Sequence, residues 1–312
     1  MKTLSTTLAG AALGLAFGVS SASAGGLLKA PVADWTGGAV TCEIIHQILE
    51  GEMGYKVKRI TMPSGPTVNE GIRAGDLDFA CETWPSYSTT KEKYVTEYGG
   101  DGSVKYFAPV GVIGQSGYFV PRYMVEGDGA VAPDLKTYEQ LNQYKHLFKT
   151  LESGEQGRLI GCPVAAWECK DAERIAGLGL DYQLVELGSE TAHWAEMKAA
   201  YARKEPFLAY AWTPHWIFAE MDLVEIGLPP HSDDAWPVSD WPEDVTYNYG
   251  RPNLAEDHPE VVQLIENFRL TNGEQAVLIK AIDIDGQDMA DAVTAWLEAN
   301  EAKWKAWVPG TN

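Results

Sequence analysis

The chain has 312 residues and a formal net charge of −20 at pH 7, because 44 acidic residues outnumber 24 Lys and Arg. This acidity argues against nucleic acid and anionic lipid as partners, since both carry charge of the same sign. Hydrophobic residues make up 45% of the chain, which predicts a globular protein rather than a disordered one.

The first 24 residues have the pattern of a cleaved export signal. Lys2 supplies a positive start, an apolar run extends from Leu8 to Val19, and Ala22-Ser23-Ala24 is a small-residue cleavage site. The apolar run is too short to span a bilayer, and no later run of about 18 apolar residues occurs. We therefore expect a soluble periplasmic protein cleaved near Ala24, with an uncleaved anchor as the alternative.

Strands alternate with helices after the signal. Strands are predicted at 30–34, at 55–62 and after a turn within 75–81, and helices at 39–53 and 67–74. This alternation is typical of βαβ units and predicts a mainly parallel sheet. The strand-like segment 111–120 is a candidate crossover into a second lobe.

The second half repeats the alternation and then becomes helical. Helices are predicted at 135–141, 143–149 and 191–203, and strands at 181–187 and 206–212. The Pro-, Trp- and Asp-rich segment 229–249 predicts a long loop and a return crossover. Residues from 259 onward are predicted to be helical, with the longest amphipathic stretch at 290–307.

The chain after the signal is large for one hydrophobic core, which predicts two lobes. The predicted fold class is α/β with a ligand cleft between the lobes. Lobe I is predicted to contain residues 25–119 plus 246–312, and lobe II residues 120–245.

The chain contains four cysteines, Cys42, Cys81, Cys162 and Cys169. An even number in an exported protein favours disulfides, with three possible connectivities. Local pairing of Cys162 with Cys169 would leave Cys42 with Cys81. A metal site is the competing interpretation, but neither pair has the spacing of a zinc knuckle. We predict no metal site and no cofactor, and the absence of G-x-S-x-G, HExxH and P-loop motifs argues against catalysis.

Four of the eleven tryptophans lie at or just after the ends of predicted strands, two in each predicted lobe. They are Trp35, Trp84, Trp167 and Trp212. Carboxyl ends of strands border the cleft in α/β folds, so all four indoles are expected to face it. Indole faces attract quaternary ammonium and sulfonium groups through the ring quadrupole, by about 0.5–2 kcal/mol per contact. The pattern predicts a site for a small onium compound or zwitterion.

Polar candidates accompany these indoles. Glu82, close to Trp84, could attract a cation, and His215, close to Trp212, could donate to a ligand carboxylate. Residues 161–169, which we call the elbow, connect a strand to a helix, and backbone N–H groups at a helix start form an anion site.

Three stretches of the chain resemble the substrate-binding proteins of glycine betaine/proline betaine ABC importers. They are the elbow Gly161-Cys162-Pro163…Trp167-Glu168-Cys169, the run Tyr210-Ala211-Trp212-Thr213-Pro214-His215-Trp216, and Gly75-Asp76…Glu82-Thr83-Trp84-Pro85. The resemblance implies a type II-like periplasmic-binding-protein fold that closes on an onium ligand in a tryptophan box, and membrane permease subunits as partners. It also implies a Cys162–Cys169 disulfide.

By position in that family, Trp84, Trp167 and Trp212 would form the box, with Trp35 as a fourth wall. The N–H groups of Glu168 and Cys169 would receive a ligand carboxylate. The chain departs from the family pattern by one additional residue before Trp167, and Pro85-Ser86-Tyr87-Ser88 replaces a histidine that helps hold the carboxylate. These departures suggest a ligand related to glycine betaine, such as dimethylsulfoniopropionate, trimethylamine N-oxide, carnitine or choline.

The predicted function is therefore a monomeric, non-enzymatic solute receptor for a methylated onium osmolyte. One alternative is a secreted carbohydrate-active enzyme that uses Asp78 or Glu82 beside stacking tryptophans. Another is a redox protein that cycles Cys162 and Cys169.

Overall fold

A computed structural model of the chain describes residues 25–310, so the predicted signal peptide lies outside the described residues. The strands of the described part are β1 (Leu27–Val32), β2 (Lys56–Thr61), β3 (Phe79–Thr83), β4 (Lys105–Pro121), β5 (Gly157–Ile160), β6 (Tyr182–Val185), β7 (Leu208–Thr213), β8 (Leu223–Glu225) and β9 (Asp244–Gly250). Its helices are α1 (Thr36–Gly51), α2 (Pro66–Ala74), α3 (Lys91–Tyr94), α4 (Arg122–Val125), α5 (Tyr138–Tyr144), α6 (Asp171–Gly177), α7 (Glu190–Ala202), α8 (Ile217–Glu220), α9 (Leu254–Asp257), α10 (Pro259–Asn267), α11 (Asn272–Asp283), α12 (Met289–Ala299) and α13 (Glu301–Lys305).

The sequence predicted a mainly parallel sheet, and the structure shows that this prediction is wrong. β1 pairs with β2 in parallel, and β5 pairs in parallel with both β6 and β7. The strands that join the two halves are antiparallel: β4 pairs with β7, β8 and β9, and β3 pairs with β9. The prediction failed because it extended the βαβ alternation of each lobe to the strands that cross between them.

β4 is the element shared by the two lobes. Its 17 residues pair with β9 up to Gly114 and with β7 from Gln115 onward. The result is a seven-stranded sheet of order β3-β9-β4-β7-β5-β6, in which β8 also pairs with β4. β9 corrects the prediction of an unbroken loop at 229–249. Its alternation places Tyr247 and Tyr249 against the ring of Tyr106, and such alternation is typical of a strand.

Three predicted helices differ from the structure. The helix predicted at 135–141 begins at Tyr138, because Thr137 and Gln140 form a capping box there. The segment predicted as a helix at 143–149 forms the end of α5 and a short 3₁₀ turn. The long C-terminal stretch is divided at Asn300 into α12 and α13.

The buried apolar side chains form separate clusters that correspond to two lobes. One cluster contains α1 and the C-terminal helices, with residues such as Ile44, Phe79 and Leu264. Another contains mainly residues between Tyr118 and Trp241, from β4 to the segment before β9. The predicted boundaries at 119/120 and 245/246 stay a prediction. No helix within residues 25–310 is long and apolar enough to cross a membrane.

Both disulfides follow the local pairing considered from the sequence. Cys42–Cys81 joins α1 to β3, and Cys162–Cys169 closes the elbow. The first disulfide links distant parts of lobe I, and the second closes a loop of eight residues, 162–169, after β5.

Removal of the Cys42–Cys81 disulfide by paired Cys→Ala changes is expected to cost more stability than removal of Cys162–Cys169. The sequence separations are 39 and 7 residues, and the entropy of loop closure in the unfolded chain grows with the logarithm of loop length. The expected difference in the free energy of unfolding is about 1.5 kcal/mol. Urea denaturation of the two double variants measures it, and equal losses would contradict the loop-length account.

Candidate functional site

Four indoles line one cleft between the lobes. Trp35 lies between β1 and α1, Trp84 directly after β3, Trp167 in the elbow after β5, and Trp212 within β7. The cleft contains about 810 Å³ of space free of protein atoms, including its open mouth. A cleft of this size fits a small ligand.

The indoles form two edge-to-face pairs, one from each lobe. The ring centroids of Trp35 and Trp84 lie 5.9 Å apart with an angle of 84° between the ring planes. Those of Trp167 and Trp212 also lie 5.9 Å apart, at 78°. Perpendicular rings within a pair border the space with surfaces of different orientation, which suits a roughly spherical methylated group.

Two glycines leave room for the rings of lobe I. A Cβ atom on Gly114 would lie 2.2 Å from the six-membered ring of Trp84, and one on Gly38 would lie 2.7 Å from the ring of Trp35. Such distances are too short for any side chain. Both indoles therefore require glycine at positions 38 and 114. The sequence did not indicate this role of the two glycines.

Glu82 is the buried charge of the cleft. It is 4% exposed, and its backbone has a left-handed φ of 55°. Its Oε2 accepts hydrogen bonds from Thr41 Oγ1 and Gln275 Nε2, both at 2.5 Å, and its Oε1 accepts one from Trp84 Nε1 at 3.2 Å. Burial raises the pKa of Glu82 to about 7, although the three donors favour the ionised form. No Lys, Arg or His of the described chain lines the cleft with it.

Tyrosine hydroxyls connect the lobes at one side of the cleft. Tyr87 donates to Ser116 Oγ at 2.7 Å, and its oxygen lies 2.8 Å from that of Tyr210. Burial raises the pKa of both tyrosines, so both phenols stay protonated. Sequence reasoning missed these residues as lining residues. The signal was present for Tyr87, because it lies in the segment that replaces the family histidine.

Comparison with known proteins identifies the family. A model of the substrate-binding domain of ABC-type glycine betaine transport systems matches residues 28–299. The chain belongs to this family. The resemblance stated from the three sequence stretches is confirmed.

Individual members of the family are distant in sequence. The trimethylamine N-oxide-binding protein of Pelagibacter ubique is 24% identical over 289 residues, 88% of each chain. The glycine betaine, L-proline-binding protein of Borrelia burgdorferi has a TM-score of 0.72 at 18% identity, covering 91% of this chain and 97% of that chain. Lactococcal OpuAC, closed on glycine betaine, has a TM-score of 0.70 at 18% identity and covers 90% and 99%. These similarities confirm the predicted two-lobed α/β periplasmic-binding-protein fold.

The elbow contributes its indole to the cleft of this betaine-family protein, and neither Glu168 nor Cys169 is among the lining residues. The Glu168 N–H donates to the Ala165 carbonyl at 3.1 Å, so it is not free to receive a ligand carboxylate in this conformation. The Glu168 carboxylate accepts from Thr89 Oγ1 across the lobes at 2.6 Å. Cys169 is buried in its disulfide.

His215 does not reach the cleft, in contrast to the expectation from sequence. It is 6% exposed, and its Nε2 lies 3.3 Å from Glu190 Oε1. Its ring packs behind Trp212, a wall of the cleft, with the two ring centroids 5.4 Å apart. Asp78, a candidate acid of the enzyme alternative, also lies outside the lining. Its carboxylate accepts from the Lys29 N–H and Arg251 Nε instead.

Two groups in the described residues have metal-binding residue types close together. In the first, Cys42 and Cys81 accompany His46, but the disulfide removes both thiolates. In the second, Glu190, His215 and Asp283 have ligand atoms within 4.8 Å of one another. There, His215 Nδ1 accepts the Ile217 N–H at 3.3 Å. Nε2 of the neutral ring then carries the hydrogen and faces Glu190 as a donor rather than as a metal ligand.

Glu82 is expected to make stability depend on pH. Because its pKa is raised in the folded protein, the folded state holds the proton more strongly than the unfolded state, and stability falls as pH rises from about 4.5 to 7. At 1.36 kcal/mol per pKa unit, the loss is roughly 3 kcal/mol.

Glu82→Gln should remove this loss. The difference in unfolding free energy between Glu82→Gln and the wild type, measured by urea denaturation, should therefore rise between pH 4 and pH 8. Glu52→Gln, an exposed change directly after α1, is the control and should parallel the wild type. A constant difference for Glu82→Gln would show that Glu82 keeps its ordinary pKa.

Proposed function

We propose that this chain is the periplasmic receptor of an ABC importer and captures a methylated onium osmolyte between its lobes. The observation that carries the proposal is the set of four indoles around one cleft, whose lining among residues 25–310 includes a buried carboxylate and no cationic side chain. We expect no enzymatic activity, no nucleic-acid partner and a monomeric receptor that delivers its ligand to membrane permease subunits.

The energetics suit a ligand that cannot donate hydrogen bonds. An onium group loses water on entering the cleft. Each contact with a ring face compensates part of this loss with about 0.5–2 kcal/mol of favourable interaction free energy. Ionised Glu82 adds attraction for the positive end. After the costs of ordering, several such contacts are consistent with micromolar affinity, roughly −8 kcal/mol.

The negative end of the ligand decides among the candidates. The lining has no Lys, Arg or His for a carboxylate, and the Glu168 N–H is already bonded. This composition favours a compact ligand with a small polar end, and the Pelagibacter relative is named for trimethylamine N-oxide. We therefore place trimethylamine N-oxide first, ahead of glycine betaine, dimethylsulfoniopropionate and choline. In its protonated form, Glu82 could donate to the N-oxide oxygen.

Titration of intrinsic tryptophan fluorescence with these four compounds tests the proposal. We expect saturable binding of at least one, and no response to any onium compound would refute the function. The pH dependence tests the order of ligands. Affinity for trimethylamine N-oxide should fall as pH rises through about 7 if protonated Glu82 donates to it, whereas affinity for the cation choline should rise.

Trp167→Ala should weaken binding of the preferred compound at least tenfold, or by about 1.4 kcal/mol. Without the indole, the ligand would lose one cation–π contact, and one of its sides would be open to water. Isothermal titration calorimetry measures the change. Trp304→Ala on α13 removes a buried indole outside the cleft and should leave the dissociation constant unchanged. An equal constant in Trp167→Ala and the wild type would exclude Trp167 from the site.

A further inference from the structure

A second contact between the lobes lies next to the cleft, where α7 meets the start of α1. Glu190, the first residue of α7, is 6% exposed. Its Oε2 accepts the Thr36 N–H at 2.8 Å and the Thr36 hydroxyl at 3.2 Å. Thr36 is the first residue of α1 and directly follows Trp35, a wall of the cleft.

The start of α1 lacks a cap of its own. Its N-cap residue is Trp35, whose side chain makes no capping hydrogen bond, and its first turn contains no acidic residue. The first N–H groups of a helix need acceptors, and a negative charge there interacts favourably with the helix dipole. Glu190 supplies both from the opposite lobe. α1 packs in the cluster with the C-terminal helices, whereas Trp194 and Met197 of α7 pack in the other cluster.

The surroundings hold Glu190 in this position. Its other oxygen, Oε1, lies 3.3 Å from His215 Nε2. The single hydrogen of the Thr36 hydroxyl is shared with Asp283, whose Oδ1 lies closer to that hydroxyl, at 2.8 Å. Asp283 also accepts from Trp216 Nε1 at 2.8 Å, which is a second link between the lobes. Burial raises the pKa of Glu190, but the bonds from His215 and Thr36 outweigh it and keep the pKa below its usual value. Glu190 therefore caps α1 as a carboxylate.

We propose that Glu190 is a positioning residue of the receptor: it caps α1 only while the lobes are closed, holds Trp35 against the ligand, and slows ligand release. The part that concerns the ligand rests on the proposed function. Opening the cleft separates Glu190 from Thr36 and leaves both without these partners. A contact that exists in only one of two states shifts the equilibrium toward that state.

Two variants remove the cap from opposite sides. Glu190→Ala removes the acceptor. Thr36→Pro removes both donors, and proline is tolerated at the first position of a helix. The φ and ψ of Trp35, −141° and 145°, also suit a residue before proline. Glu196→Ala on the same helix is the matched control, because its partner Arg158 belongs to its own lobe.

The first measurement is the dissociation rate of trimethylamine N-oxide and of glycine betaine, by stopped-flow fluorescence. We expect Glu190→Ala and Thr36→Pro each to release bound ligand about tenfold faster, with little change in the association rate. The double variant should release ligand less than additively faster than the two single variants, since both remove the same contact between Glu190 and Thr36. Glu190→Gln, which keeps an oxygen acceptor, should restore part of the effect, and Glu196→Ala should match the wild type.

The second measurement needs no ligand. Hydrogen exchange of the peptide covering residues 36–42 should be faster in Glu190→Ala than in Glu196→Ala, because only the first variant removes the cap of α1. If the wild type binds no onium compound, the proposed function is wrong, but hydrogen exchange still tests whether Glu190 caps α1. If Glu190→Ala matches Glu196→Ala in both exchange and release, the cap proposal is wrong. Thr36→Pro, which leaves Glu190 and His215 intact, covers the case in which Glu190→Ala does not fold.

Discussion

The chemistry of the cleft depends on a buried carboxylate that has hydrogen-bond donors but no neighbouring cation. Three elements converge on Glu82: α1 supplies Thr41, α11 supplies Gln275, and the segment after β3 supplies Trp84. Donors of this kind orient the carboxylate without neutralising it, so its negative potential remains available to the space between the indoles. A neighbouring Lys or Arg would have paired with Glu82 and left only the indole faces to attract the proposed onium ligand.

The architecture explains how four separate strand ends reach one space. Trp35 follows β1, which pairs in parallel with β2, and Trp167 and Trp212 belong to the ends of β5 and β7, which also pair in parallel. Trp84 follows β3, which pairs antiparallel with β9, and β9 pairs with the shared strand β4. The interlobe bonds Trp167–Asp34, Thr89–Glu168 and Tyr87–Tyr210 lie around the rim of this space. These bonds join the two lobes beside the proposed site.

Sequence reasoning succeeded where a signal was local and failed where it depended on partners far along the chain. The ends of strands marked Trp35, Trp84, Trp167 and Trp212, because their position follows from the alternation of elements alone. The elbow and His215 illustrate the second case. The Glu168 N–H is bonded to Ala165, and His215 packs against Glu190, 25 residues earlier in the chain, and no local pattern encodes either contact. The ligand contacts expected of Glu168, Cys169 and His215 stay predictions. β9 was missed because prolines before it obscured a short alternation of tyrosines.

One wall of the cleft lies where the shared strand β4 passes from one lobe to the other. The ring of Trp84 covers Gly114, and β4 exchanges its pairing partner between Gly114 and Gln115. In the proposed closure of the lobes, Trp84 and its hydrogen-bond partner Glu82 would move less than Trp167 in the elbow, because they lie beside this exchange of partners. A solute would then meet Trp84 and Glu82 first, and the walls of the other lobe would follow and exclude water.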